Sequence, residues 1–290
     1  MKYGVTYSYW GKDWEGNDYP QKIERAANCG LDILEIFYGR TLTMDAREIN
    51  EINAARRDNG IEIYALGGFG PELDLSSMDE DVRRRAVEGA KEIVSAISKL
   101  GVRNFSGINY GQWCGLSDPQ NKHRRFECAA RSLGEVGRFA ADYGVSWNME
   151  VVNRFESYLV NTAQEARALA EASGSPNINI LLDIFHGMLE EDDLAEAVRV
   201  AGDRLGHYHV GSNNRKLPHP SFQPWEEIAQ AMKDTGYNKS ISIEPLVHTG
   251  GTVALSGGNV WREMLPADWD DAMLDRMLRE SLAFLKGLFD

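Results

Sequence analysis

The stretch of sequence that decides the fold runs from Val145 to Asp183 and reads VSWNMEVVNRFESYLVNTAQEARALAEASGSPNINILLD. It begins with a largely apolar run, VSWNMEV (145–151), and closes with a second one, NINILLD (177–183). Between the two runs, residues 163–172 have the periodicity of an amphipathic helix. A strand, a helix and another strand in this order predict a βαβ unit with parallel strands.

The same unit recurs along the chain on both sides of this stretch. Strands are predicted at 2–8, 31–37, 61–66, 102–108, 145–151, 177–183, 205–210 and 239–244, and helices at 19–28, 45–58, 80–100, 122–143, 163–172, 193–201, 225–235 and 268–288. Several helices end at a glycine just before the next strand, which is a common helix C-cap. Eight such units favour an α/β fold, a (β/α)8 TIM barrel formed by residues 1–290 as a single domain. A doubly wound open sheet is the alternative, but the sequence lacks the GxGxxG motif that such a sheet usually carries.

Composition and charge exclude several classes of partner. The chain has 290 residues, of which 43% are hydrophobic and 26% charged, and its formal net charge is -13. Without a basic face it is not expected to bind nucleic acid. No apolar run approaches the ~20 residues of a membrane span, and the first residues do not resemble a secretion signal. Three cysteines without CxxC spacing fit a reducing compartment, so we expect a cytoplasmic protein that does not bind membranes.

Ligand-type side chains lie at the ends of four consecutive predicted strands. They are Glu150, Asp183, His209 and Glu244. Because the C-terminal ends of barrel strands form the active-site face, these side chains should converge there. Each one alone could equally be a helix cap or a surface group, but three carboxylates and an imidazole together call for a cation. An oxygen-rich set without thiolates predicts one divalent metal ion per chain, with Mn²⁺ expected first and Co²⁺ or Mg²⁺ as alternatives.

A second histidine competes for the ligand role. His207 lies two residues before His209, so both side chains point to the same face of the strand. His209 is nearer the C-terminal rim and is therefore the predicted ligand. His207 is interpreted as a histidine packed inside the barrel.

Other polar and aromatic residues are candidate substrate contacts. The candidates are Glu156, His186, Arg215, Tyr7, Trp14 and Trp113. The polar members follow the same strands as the predicted ligands, where a substrate with several hydroxyl groups needs donors and acceptors. The aromatic members could pack against the C–H faces of a sugar. Solvated loops and rim packing are the alternative interpretations.

Several motifs place the chain in a known family. The most specific is EVVNRFE (150–156), and it is accompanied by GVTYSYW (4–10), LDIFH (182–186), GHYH (206–209), NNR (213–215), PW (224–225), EP (244–245) and TGG (249–251). With these motifs the sequence resembles the D-tagatose/D-psicose (allulose) 3-epimerases, which are ketose 3-epimerases of the xylose-isomerase-like barrel superfamily. The resemblance extends over essentially the whole chain.

The resemblance implies roles for individual residues. In that family, the residues that match Glu150, Asp183, His209 and Glu244 bind one divalent metal, and those that match Glu156, His186 and Arg215 hold the substrate. It also implies a homodimer or homotetramer. Residues 66–71, 106–111 and 39–40 depart from the family pattern in loops that contact the distal end of the sugar, so the preferred ketose stays open.

The predicted reaction is the metal-dependent interconversion of C3 epimers of free ketoses. The pairs considered are D-tagatose/D-sorbose, D-psicose/D-fructose and L-ribulose/L-xylulose. Glu150 and Glu244 are the expected acid/base pair, and a metal at O2 and O3 would stabilise the cis-enediolate.

Four other functions are alternatives to a ketose 3-epimerase. An aldose–ketose isomerase would move hydrogen between C1 and C2, and a dehydratase would act on a cyclic polyol ketone. A barrel endonuclease would need several zinc ions and a basic surface, which the net charge disfavours. A non-catalytic sugar-binding barrel stays open.

Overall fold

Eight parallel strands close into a barrel in chain order, with each strand paired to the next and β8 paired to β1. The computed structural model describes residues 1–115 and 117–290. The strands are β1 Lys2–Thr6, β2 Ile33–Phe37, β3 Glu62–Leu66, β4 Asn104–Gly107, β5 Ser146–Val151, β6 Ile178–Asp183, β7 Leu205–Val210 and β8 Ser240–Ile243. The helices are α1 Tyr19–Asn28, α2 Ala46–Asn59, α3 Glu80–Ser98, α4 Lys122–Asp142, α5 Ala163–Ala172, α6 Ile184–Glu190, α7 Leu194–Ala201, α8 Trp225–Thr235, α9 Gly251–Val253 and α10 Asp271–Phe289.

This architecture confirms the predicted (β/α)8 barrel. The bounds of α1, α5, α8 and β7 are those predicted from the sequence, and most other elements differ by one to three residues at an end. Two helices, α6 and the three-residue α9, were not predicted. Helix α6 begins directly after β6 because the Asp183 carboxylate accepts a hydrogen bond from the Phe185 N–H at 2.6 Å and so caps the helix.

The two faces of the strands have different surroundings. Apolar residues such as Ile36 and Trp147 belong to a buried hydrophobic cluster that also contains helix residues such as Leu133. In contrast, Glu35 on β2 hydrogen-bonds His207 on β7, and these two strands are not neighbours in the sheet. The contact must therefore cross the inside of the barrel, whose interior contains charged and polar groups that need partners.

In the described part of the chain, no helix combines the length and the apolar character required to cross a bilayer.

Candidate active site at the barrel mouth

Four buried side chains converge where β5 to β8 end. Glu150, Asp183, His209 and Glu244 offer ligand atoms that all lie within 4.8 Å of one another. Glu244 follows β8 directly, and its backbone N–H donates to the Val210 carbonyl at 3.0 Å, which continues the strand pairing. The structure thus brings together the four residues that the sequence predicted as metal ligands. Their role as ligands stays a prediction.

One nitrogen in this group shows that a cation would fit. Within the described residues, His209 Nδ1 is buried without a hydrogen-bond partner. It lies 3.5 Å from Glu244 Oε2 and 4.0 Å from both Glu150 Oε1 and Asp183 Oδ2. A buried polar atom without a partner is costly, and a divalent cation among these atoms would satisfy it. The set of three carboxylates and one imidazole suits such an ion.

The electrostatics of the four residues indicate an excess of negative charge. Burial, reinforced by the neighbouring Glu244 carboxylate, holds the pKa of Glu150 well above its usual range. Burial also raises the pKa of Asp183 to about 6. For Glu244, the charges of Arg215 and His209 outweigh the effect of burial and lower the pKa to about 2. Crowded carboxylates repel each other's ionised forms, so a cation here would favour the ionised state of all of them.

Arg215 supplies a positive charge to the same carboxylates. Its Nη1 donates to Asp183 Oδ2 and to Glu244 Oε2, both at 2.9 Å. The guanidinium also lies over the Phe185 ring, 4.5 Å from its centroid. Although burial opposes its charge, the carboxylates of Glu244 and Asp183 keep the pKa of Arg215 above its ordinary value.

A fourth buried acid, Glu35, is hydrogen-bonded to the predicted ligand His209. Glu35 Oε2 lies 3.1 Å from His209 Nε2, and Glu35 Oε1 lies 2.6 Å from His207 Nε2. Burial alone would raise the pKa of Glu35, but the two imidazoles hold it well below its usual value. Sequence reasoning missed Glu35, although a charge in the middle of the apolar run LDILEIF (31–37) was the available signal. His207 is buried inside the barrel, as interpreted, but the interpretation missed this bond.

A cavity opens at the mouth of the barrel, and three of the four predicted ligands, Glu150, His209 and Glu244, lie in its lining. Its lining includes five of the six predicted substrate contacts: Trp14, Trp113, Glu156, His186 and Arg215. Tyr7 is not part of this lining. Its hydroxyl donates to Asp18 Oδ1 at 2.5 Å and its ring packs on Tyr19 with centroids 5.0 Å apart, so its substrate contact stays a prediction.

The polar side of the cavity is organised by Asn153, which sequence reasoning did not select. The Asn153 backbone N–H donates to His186 Nδ1 at 3.3 Å, and its side-chain amide lies 2.7 Å from the same atom. The amide also donates to Glu156 Oε1 at 3.1 Å, while Trp113 Nε1 donates to Glu156 Oε2 at 3.0 Å. Two donors that face Nδ1 require it to be an acceptor, so the ring proton of neutral His186 is on Nε2. Burial and the charge of Arg215 lower the pKa of His186, which favours this neutral form.

The opposite wall is built from aromatic rings packed on glycines. A Cβ atom at Gly68 would lie 2.3 Å from the Trp113 ring, and one at Gly257 would lie 2.1 Å from it. Trp14 Nε1 donates to the Ser256 carbonyl at 3.0 Å, which connects the two segments at the rim.

Of the three loops that depart from the family pattern, two contribute residues to the cavity wall and the third, at residues 39–40, does not. Leu66, Gly67 and Ile108 lie in the cavity wall. Arg40 is not in that lining and pairs with Glu48.

Comparisons with known proteins agree with this geometry. The family model described as "Xylose isomerase-like TIM barrel" matches residues 23–281. A D-psicose 3-epimerase from Ruminiclostridium cellulolyticum is 39% identical over 291 residues, which covers 100% of this chain and 98% of the relative. The chain belongs to the ketose 3-epimerases of the xylose isomerase-like TIM barrel superfamily. The predicted resemblance is confirmed, and so is the predicted enzyme class, an isomerase.

Other ketose 3-epimerases are similar as well. An L-ribulose 3-epimerase from Mesorhizobium japonicum is 31% identical over 83% of this chain and 80% of its own length. A crystal structure of D-psicose 3-epimerase with D-tagatose from Clostridium cellulolyticum H10 superposes with a TM-score of 0.94 at 38% identity and covers 100% of both chains. This ketose 3-epimerase therefore shares sequence with both relatives, and it shares the overall fold of the D-psicose 3-epimerase structure over the full length of both chains.

Proposed function

We propose that this enzyme interconverts C3 epimers of free ketoses, with Glu150 and Glu244 as the two groups that move the proton. The observation that carries the proposal is the convergence of these carboxylates, from β5 and from the end of β8, on one cavity at the barrel mouth. They reach that cavity from different strands, so each can address one face of a bound ketose. Relatives named for D-psicose and L-ribulose support a ketose as substrate.

The proposed chemistry neither oxidises nor reduces the substrate. One carboxylate takes the proton from C3 while the electron pair of the C–H bond stays on the substrate as an enediolate. The other carboxylate returns a proton to the opposite face of C3, and each group later exchanges its proton with solvent. A divalent ion held by Glu150, Asp183, His209 and Glu244 supplies Lewis-acid stabilisation of negative charge on the substrate oxygens when it is bound.

The other lining residues bind and orient the sugar. Neutral His186 presents its Nε2–H to the cavity, and the Arg215 guanidinium adds charged donors for the oxygens near the carbonyl. Glu156, held by Asn153 and Trp113, accepts from a hydroxyl group. The rings of Trp14 and Trp113 cover the apolar face of the sugar and exclude water.

The finer assignments follow from the donor set and the composition. We propose Mn²⁺ as the ion, with Co²⁺ or Mg²⁺ able to replace it, because the ligands are three carboxylates and one imidazole. The substrate pairs that we propose are D-psicose/D-fructose, D-tagatose/D-sorbose and L-ribulose/L-xylulose. We further propose that residues 1–290 form one catalytic domain that assembles as a homodimer or homotetramer in the cytoplasm.

Isotope exchange in D₂O tests the reaction type. We expect deuterium at C3 of the product and none at C1, and we expect Glu150→Gln and Glu244→Gln each to abolish epimerisation because an amide cannot carry the proton. Label at C1 or C2 together with an accumulating aldose would establish an aldose–ketose isomerase instead. Exchange at C3 without an epimer would show that only one carboxylate acts as a base.

A panel of free ketoses tests the substrate. Tagatose, psicose, fructose, sorbose, ribulose and xylulose are each incubated with the enzyme and Mn²⁺ or Co²⁺, and the products are separated and identified. We expect C3 epimers from at least one of the three pairs. No product from any ketose under these conditions would contradict the proposed function.

A further inference from the structure

A buried carboxylate lies below the four predicted ligands and outside the cavity. Glu35 is in the middle of β2 and is 1% exposed, and both of its oxygens are bonded to histidine side chains of β7. Because β2 and β7 are not neighbours in the sheet, Glu35 reaches across the barrel to make these bonds. The proton transfer proposed above does not use this carboxylate.

The contacts of Glu35 fix where the ring protons lie. An ionised carboxylate can only accept hydrogen bonds, so the Nε2 atoms of His207 and His209 that face it carry protons. The lone pair of neutral His209 is then on Nδ1, which is the atom that faces Glu150, Asp183 and Glu244. His207 Nδ1, for its part, lies 2.7 Å from Ser240 Oγ, whose hydroxyl can donate to it.

We propose that Glu35 is a positioning residue for the cation site, and that His207 and Ser240 hold Glu35 in place. Glu35 fixes both the ring orientation and the tautomer of His209, so that Nδ1 is available to a cation. A carboxylate behind a metal-binding histidine also makes the imidazole a stronger ligand. This inference rests on the proposed cation site, but it concerns residues to which neither the sequence pattern nor the cavity lining assigned a role in that site.

A second metal ion is the competing explanation of the same cluster. Glu35, His207 and His209 also bring ligand-type atoms close together. However, the distances of 2.6 and 3.1 Å between Glu35 and the two Nε2 atoms are those of N–H···O hydrogen bonds. An ion would need both nitrogens to lose their protons, so the geometry favours hydrogen bonds.

Metal binding measured without substrate tests the proposal. Mn²⁺ is titrated calorimetrically into the metal-stripped full chain, and the visible absorption spectrum of the Co²⁺-loaded protein reports on the geometry of its ligands. For Glu35→Gln, which keeps the shape of the side chain, we expect roughly 10–100-fold weaker Mn²⁺ binding and an altered Co²⁺ spectrum. The control is Ser106→Ala, which removes a buried hydroxyl elsewhere in the barrel that donates to Asn104. This variant should bind Mn²⁺ as tightly as the wild type.

A pair of substitutions at His207 provides a test that is independent of Glu35 itself. His207→Leu removes the donor that holds Glu35 and should weaken Mn²⁺ binding in the same direction. His207→Gln keeps an amide N–H donor and should restore most of the affinity. Circular dichroism of each metal-free variant verifies that its fold is intact.

Three results would overturn the proposal. Unchanged Mn²⁺ affinity and an unchanged Co²⁺ spectrum in folded Glu35→Gln and His207→Leu would remove any role of Glu35 in positioning His209. Two ions per wild-type chain, one of them lost in both variants, would make the cluster a second metal site. A wild-type chain that binds no ion would refute the proposed cation site itself.

Discussion

The amide group of Asn153 controls which nitrogen of His186 carries the proton. Its Oδ1 accepts from the Phe155 N–H at 3.0 Å, so its Nδ2 must be the atom that faces His186 Nδ1 and Glu156. The orientation of the amide is therefore fixed by a backbone bond. His186 consequently presents Nε2–H to the cavity, 3.6 Å from Glu150 Oε1.

We predict that Asn153→Asp impairs catalysis and leaves metal binding intact. A carboxylate at this position would draw the ring proton to Nδ1 and remove the Nε2–H donor from the cavity. Loss of one positioned donor should lower kcat/KM by on the order of 10²-fold, measured by steady-state kinetics on a ketose. The ¹⁵N shifts of the His186 ring should show the change of tautomer.

The neighbouring residue supplies the control for this prediction. Arg154 pairs with Glu190 on the surface and does not contact His186. Arg154→Ala should keep kcat/KM near the wild-type value. Equal losses in the two variants would mean that the loop as a whole, and not the tautomer, is responsible.

Among individual residues, sequence reasoning found those at the ends of strands. It missed those whose importance depends on contacts with residues distant in the sequence. Glu150, Asp183 and His209 were selected because each lies at the rim end of its strand. Glu35 and Asn153 were missed, because their roles depend on residues far away in the chain. Tyr7 was selected for its residue type, and its bond to Asp18 depends on how the first loop packs.

Among the elements, the end of β4 packs its backbone directly against the cavity wall. Gly107 has φ 129°, and a Cβ atom there would lie 2.1 Å from the Gly67 carbonyl oxygen. Gly67 itself lines the cavity. A side chain at Gly107 would therefore push one strand end into the substrate site.

We predict that Gly107→Ala destabilises the fold more than an alanine at an open glycine does. Gly60 also has positive φ, 68°, but no other atom of the described residues lies within 4 Å of its Cβ position, so Gly60→Ala should cost about 1–2 kcal/mol for the backbone alone. Overpacking should add about 1–3 kcal/mol for Gly107→Ala. Urea unfolding gives both free energies, and equal values would contradict this account of Gly107.

Elements with a strong periodic pattern were predicted well, and those created by a single local bond were not. The three predicted helices with unchanged bounds have clear amphipathic patterns. The start of α6 depends on the carboxylate of Asp183, which serves both as a helix cap and as a predicted ligand. The sequence suggested these two functions as alternatives. In the structure they do not compete, because Oδ1 accepts from the helix and Oδ2 faces His209, while the ligand role of Asp183 stays a prediction.

Across the whole molecule, an ion held by the four predicted ligands would couple metal binding to the stability of the fold. They come from four consecutive strands of a closed barrel, so an ion that binds all four links these strands at one end. An ion that binds only the folded state raises the free energy of unfolding as its concentration rises.

We predict that Mn²⁺ at 100 times its Kd stabilises the metal-stripped protein by about 2.7 kcal/mol. Thermal unfolding should follow the Mn²⁺ concentration, and a chelator should reverse the effect while it abolishes epimerisation. Glu150→Gln, which weakens one ligand, should respond less at the same Mn²⁺ concentration. An equal rise in Tm for this variant would indicate that Mn²⁺ binds elsewhere.

The structure also separates two kinds of residue around the cavity, and this has a consequence for protein engineering. The proposed acid/base pair comes from β5 and from the residue after β8, whereas Leu66 at the end of β3, Ile108 after β4 and Trp113 line other parts of the wall. A combinatorial library confined to Leu66 and Ile108 can therefore vary the shape of the cavity wall near the distal end of the sugar. It does so without altering the groups proposed to move the proton. Selection from such a library for activity on rare sugars would begin with the catalytic chemistry already in place.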